Sequence, residues 1–160
     1  MNRLTANSSF RLLTFSVLLV GILASCNVSR KYTAEATKNW EKDILKFEQL
    51  DKSENDPGNA ILFAGSSSIR LWTTLKEDVA PYTVIQRGFG GSKFSDLAVY
   101  AKRIVYPHQF RALVIFEAND ITGSKTDKSP EEVVKIFGDI IRTVKKISGS
   151  TNFSPRNYAH

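Results

Sequence analysis

Sulfur is nearly absent from this chain: its 160 residues hold one cysteine, Cys26, and one methionine, Met1. A lone cysteine excludes an internal disulfide and any cysteine-rich metal site. Histidine is scarce too, at positions 108 and 160 only. No apolar run is long enough for a membrane-spanning helix, since the longest, residues 12–23, falls short of the roughly 20 residues required. There is no basic stripe and no nucleic-acid motif; the 22 basic and 16 acidic residues are interspersed, so no nucleic-acid partner is expected. What is present is a core-forming composition, 42% hydrophobic and 11% aromatic, in a length that suits one domain at most.

Arg3 and Arg11 precede the apolar stretch 12–23, which ends in Leu23-Ala-Ser-Cys26. A charged start and a short apolar core are the parts of a signal peptide. The ending resembles the lipobox of bacterial lipoproteins. That resemblance implies cleavage before Cys26, lipidation of its thiol and new amino terminus, and a location in the cell envelope, anchored by lipid to a bacterial membrane. The expected organisation is a signal peptide over 1–25, a polar tether over 26–35, a folded domain over 36–147 and an irregular tail over 148–160.

Within the domain, Trp40, Ile44, Phe47 and Leu50 mark one face of a helix. After the turn-rich residues 51–59, Ala60-Ile-Leu-Phe-Ala64 runs into Gly65 and three serines. A short apolar run bounded in this way reads as a strand buried on both faces. Ser66, Ser67 and Ser68 then either cap the helical turn around 69–75 or present a reacting group at the strand's C-terminal end. Residues 82–86 read as a second strand, entering Arg87-Gly-Phe-Gly-Gly-Ser92, with a helix through Phe94, Leu97, Ala101 and Ile104 capped by Ser92. The third glycine of a dinucleotide fingerprint would fall at Lys93, and the Gly-Lys-Ser/Thr of a phosphate loop is missing, so no nucleotide cofactor is expected. Residues 111–116 read as a third buried strand, leading into Glu117-Ala-Asn-Asp120. Ser129-Pro-Glu-Glu132 predicts a capping box, followed by a helix buried through Val133, Phe137, Ile140, Ile141 and Val144. Alternating strands and helices give an α/β fold with a parallel sheet.

In such a sheet the C-terminal strand ends lie along one edge, so a serine, a glycine pair and an asparagine can share a site. The chemistry suits acyl transfer: a serine nucleophile, with a backbone N–H and a side-chain amide as oxyanion donors. Gly65-Ser-Ser-Ser-Ile-Arg70, Gly88-Phe-Gly-Gly91 and Asn119-Asp120 together resemble the SGNH (GDSL) hydrolases, in particular bacterial lipoproteins carrying Gly-Ser-Ser-Ser-Ile-Arg, across about residues 36–147. The resemblance implies a three-layer α/β/α, flavodoxin-like fold, incomplete at its C-terminus. It implies Ser67 as nucleophile, Gly91 as oxyanion donor through its N–H and Asn119 through its amide. Ser66 takes the place of the usual aspartate, and Asp120 supports the loop. Arg70 and Trp72 match the motif's continuation, where packing is an equal reading. No metal and no cofactor is implied. The substrate class is a small acyl ester or an acetylated carbohydrate.

Two positions depart from that pattern. Glu117 stands where the family has glycine; it needs room there, and its charge would oppose an oxyanion. The family's Asp-x-x-His, which supplies the base, has no counterpart: Asn157-Tyr-Ala-His160 imitates its spacing but follows Asn119 too closely, and His108 is expected on the surface at the opposite sheet edge. The sequence therefore supports an acyl-serine ester hydrolase without its base, or else a non-catalytic remnant or ligand-binding lipoprotein.

Overall fold

Strand β1 (Ala60–Gly65) is the centre of the molecule. In the computed structural model, which describes residues 28–54 and 58–150, it lies between β2 (Val84–Gly88) and β3 (Phe110–Phe116) in a three-stranded, all-parallel sheet of order β2-β1-β3. The apolar run 60–64 forms this strand because only a central parallel strand buries both of its faces. Ala60, Leu62 and Ala64 point into the main core, while Phe63 joins Ile69 and Leu75 on the other side.

Three helices cover the first face: α1 (Val28–Leu50), α4 (Phe94–Val105) and α5 (Pro130–Ser150). Two single-turn helices, α2 (Ser67–Arg70) and α3 (Leu75–Asp78), cover the second face over β1 and β2 only. Ala36 and Ile44 from α1 meet Leu97, Tyr100, Ala101 and Ile104 from α4, and Ile136 and Ile140 from α5. Phe89, just after β2, sits edge-on to Trp40, Phe47 and Tyr100 and joins these helices to the sheet.

Several sequence expectations change here. Helix α1 starts at Val28, so residues 28–35 are helical where a tether was expected; Tyr32 packs against the core and its hydroxyl donates to Glu132 of α5, which also pairs with Lys31. Glu132 is thereby turned away from Ser129, and only half of the predicted capping box forms, the Glu132 N–H donating to Ser129 Oγ at 3.2 Å. The α5 stripe is shifted: Ile136 is fully buried and Phe137 is 41% exposed. On α1, Ala36 is buried while Leu50 is exposed. Strand β3 is not buried on both faces. Ala112, Val114 and Phe116 lie on the side that α2 and α3 do not reach, and Val114 and Phe116 are 38% and 48% exposed.

His108 is buried rather than on the surface, with its Nε2 3.4 Å from Asp51 Oδ1. Asp51, just beyond α1, also receives the Arg87 guanidinium at 2.5 Å, and Glu54 takes the same group at 2.5 Å. Arg87 is fully buried and stacks on Phe47. A buried guanidinium requires such paired acceptors, and this cluster joins the end of α1 to β2. Cys26, the leader 1–25 and the tail 151–160 lie outside the described residues.

Candidate functional site

All three strands finish at one level. Gly65 pairs with Gly88 on one side and with Phe116 on the other, so the segments after them leave the sheet along a common edge. Two glycines make the crowding possible. Gly65 has φ +150°, and a Cβ there would collide with the Phe116 carbonyl. Gly90 has φ +49°, and its Cβ would enter the Trp40 ring. The left-handed backbone and the close approaches both call for glycine.

Ser66 is buried and donates its backbone N–H to the Phe116 carbonyl at 3.1 Å. Its own carbonyl accepts the N–H groups of Ile69 and Arg70, which makes it the N-cap of α2 without a side-chain cap. Ser67 is the first residue of α2 and is half-buried. Arg70 and Leu71 are exposed, and Trp72 is fixed by packing: it lies edge-on to Phe63 and donates Nε1–H to Asp78 at 2.6 Å.

The glycine loop and the segment after β3 are held together by three hydrogen bonds. Asn119 Nδ2 donates to the Ser92 carbonyl at 2.8 Å. Ser92 Oγ donates to Glu117 Oε1 at 3.0 Å. The Phe94 N–H donates to Asp120 Oδ2 at 2.7 Å. The same Nδ2 of Asn119 lies 3.9 Å from where a Gly91 Cβ would stand, so the Asn119 amide and the Gly91 backbone are neighbours. Gly91 is exposed at the loop tip, and among the described residues no group accepts its N–H. An amide nitrogen carries two hydrogens, and Asn119 uses one on Ser92, leaving one for another acceptor.

One predicted role passes to other residues. Ser92 is not the cap of α4: it is completely buried and faces Glu117, while Lys93 is the N-cap, its N–H donating to Asp96 at 3.0 Å. Asp120 takes part of the capping role from across the site. It is buried, holds the first N–H of α4 and pairs with Lys128 Nζ at 2.8 Å. An aspartate at a helix N-terminus satisfies donors that have no partner within the helix.

Glu117 differs from expectation in both room and charge. Its side chain fits, 8% exposed, against Ser92. Burial pushes its carboxyl up to about 8, and the nearby Asp120 and Asp96 carboxylates add to the shift while the Ser92 hydroxyl opposes it. At neutral pH the group is mostly the uncharged acid, and its charge does not oppose an anion in the site. Asp96 is raised as well, through burial first.

Among the described residues no histidine is brought to Ser67. His108 precedes β3, at the sheet edge opposite the site, and His160 lies outside the described residues. Among the described residues no cluster of three His, Cys, Asp or Glu side chains is poised to hold a metal ion.

Solved structures resemble this chain. One from Streptococcus pneumonia, provisionally named a platelet activating factor, superposes with a TM-score of 0.57 at 20% identity, over 78% of this chain and 56% of that one. One from Bacteroides fragilis NCTC 9343, provisionally named an acylhydrolase, gives 0.49 at 23% identity, over 66% of this chain and 51% of that one. The chain thus spans about half the length of these solved structures. No family model matches the sequence, and no curated protein does. At 20% identity the first likeness shows the fold, a parallel sheet with flanking helices.

Proposed function

We propose that the chain carries the nucleophile and oxyanion side of an SGNH-type serine ester hydrolase. The observation that carries this reading is the common level of the three strand ends, with the Asn119 amide beside the Gly91 backbone at that edge. Ser67 Oγ attacks an acyl carbonyl and gives up its proton to water, and the Gly91 N–H and the second Asn119 Nδ2 hydrogen receive the developing oxyanion. The ester C–O bond breaks with release of the alcohol, and water then hydrolyses the acyl-serine. Ser66 and Asp120 hold the backbone around these groups. The substrate class is a small acyl ester or an acetylated carbohydrate. The partner is a bacterial membrane, reached through lipid on Cys26 at the cell envelope. Transfer of fatty-acid label to the wild type and not to Cys26→Ala tests the anchor, and equal labelling of both would end that part of the reading.

A second reading has an observation of its own. Among the described residues no base reaches Ser67, and His108 is on the other sheet edge. A site lacking one triad member retains about 10³–10⁴-fold catalysis over water from the oxyanion hole and binding. If a base is needed even for that, the chain is a non-catalytic ligand-binding lipoprotein. Hydrolysis of p-nitrophenyl acetate by wild type, Ser67→Ala and Asn119→Ala separates the two. The hydrolase reading expects a weak rate that both substitutions reduce. Three equal rates favour the binding protein.

A further inference from the structure

We propose that Glu117 is a positioning residue: it latches Ser92, and through the Ser92 carbonyl it fixes the Asn119 amide against the glycine loop. The second half of this statement, an effect on catalysis, rests on the hydrolase reading above; the first half does not.

The geometry is a chain of two contacts, the first buried and the second part-buried. Glu117 Oε1 accepts from Ser92 Oγ at 3.0 Å, and the carbonyl of that same Ser92 accepts from Asn119 Nδ2 at 2.8 Å. Ser92 has no exposed surface and follows Gly91 directly, so movement of Ser92 moves both groups assigned to the oxyanion. Glu117 Oε2 is buried without a hydrogen-bond partner. An uncharged carboxyl tolerates that position far better than a carboxylate.

The latch therefore has a charge state. The groups acting on Glu117 are the Ser92 hydroxyl from the glycine loop, Asp96 from α4 and Asp120 from its own segment, and Asp120 is in turn paired with Lys128. Ionisation places a charge beside two carboxylates with one hydroxyl to receive it. The Ser92 bond favours the charged form but is outweighed by burial, as the rise to about 8 records. A carboxylate so placed turns toward water and takes its hold on Ser92 with it. Below that pH the latch is closed; above it the latch opens.

Two measurements on the full chain test this. Carbon-detected NMR of the Glu117 Cδ, the Ser92 Cβ and the Asn119 Cγ, from about pH 6 to 9.5, reads the latch directly. All three signals should move with one midpoint near 8, and Glu117→Gln, which keeps the acceptor and cannot ionise, should leave Ser92 and Asn119 still. Asn119 that does not move with Glu117, or that moves equally in Glu117→Gln, overturns the proposal. If Glu117→Gln does not fold, the wild-type titration and its loss of Asn119 coupling in Ser92→Ala decide the matter. The second measurement is the serine-dependent hydrolysis of p-nitrophenyl acetate. The wild-type rate relative to Glu117→Gln should fall at least about tenfold across the same range, toward the 10²–10³ that removing an oxyanion donor costs. A constant ratio overturns the catalytic half. Coupled NMR titration without serine-dependent hydrolysis at any pH supports the latch and counts against the hydrolase reading.

Discussion

Glu117 is the residue that most changes what the sequence alone suggests. As a charged side chain in place of glycine it reads as an obstacle, but its surroundings remove the difficulty: Ser92 and Asp96 belong to a stretch well before it in the chain, and their meeting with Glu117 and Asp120 is a tertiary fact. The same holds for Ser92 itself, which stands at a plausible cap position in the sequence and yet faces the opposite way, because Lys93 and Asp120 supply the cap. A pH dependence of stability follows. The Glu117 carboxyl is raised in the folded protein, so the folded state holds its proton where the unfolded chain has lost it. Stability from this group is complete below the unfolded value of 4.5 and is lost as pH rises toward about 8. Asp96 acts with the same sign from a lower onset, whereas Glu41, Glu48 and Glu132, lowered chiefly by their hydrogen bonds to Arg103 and Lys31, lose stabilisation only in acid. Urea unfolding between about pH 5.5 and 8.5 should show wild type weakening relative to Glu117→Gln. Parallel curves would mean that the carboxyl is not buried as described. At Gly90, alanine should destabilise by at least about 1–3 kcal/mol, because the backbone is left-handed and Trp40 occupies the space; an unchanged urea midpoint would contradict this packing.

Among the elements, the strands were the most legible. The unbroken apolar run of β1 and the Gly/Ser turn after it identify a central parallel strand, and β1 is central. Strand β3 has a similarly apolar sequence and a different environment, since its second face receives no helix among the described residues. Periodicity reports that a side chain is apolar, not whether a neighbour arrives to cover it. Helix α1 shows the converse: residues 28–33 carry little apolar signal and are helical because Tyr32 and Lys31 dock on Glu132 of α5. The bare strip has a consequence. Val114 and Phe116 are large apolar side chains exposed on an edge strand, a combination that favours self-association. Val114→Thr with Phe116→Ser should reduce association in sedimentation velocity while leaving the thermal midpoint within a few degrees. Unchanged association would place the sticky surface elsewhere. The Arg87 cluster is a second element-scale device, joining α1 to β2. Asp51→Ala leaves a buried guanidinium with Glu54 as its remaining carboxylate and the Gln86 carbonyl beside it, and should cost about 3 kcal/mol in urea unfolding; a loss below a few tenths would show that Arg87 finds water.

For the whole molecule, parallel topology does the work of bringing distant motifs together. Gly91 follows Ser67 by 24 residues and Asn119 follows Gly91 by 28, and they share an edge because each follows a strand that ends at the same level. That much was readable from the alternation of apolar runs and helical patterns. The hydrogen bonds between the glycine loop and the segment 117–120 were not, since they depend on side-chain direction at single positions. The central claim, that Ser67 is the nucleophile of a site whose anion donors are Gly91 and Asn119, is tested most directly by a fluorophosphonate with peptide mapping of the adduct. The account predicts one phosphonyl group on Ser67, absent in Ser67→Ala and formed at least about 10²-fold more slowly in Asn119→Ala. An adduct on Ser66, Ser68 or Ser92, or a rate on Ser67 indifferent to Asn119, would contradict it.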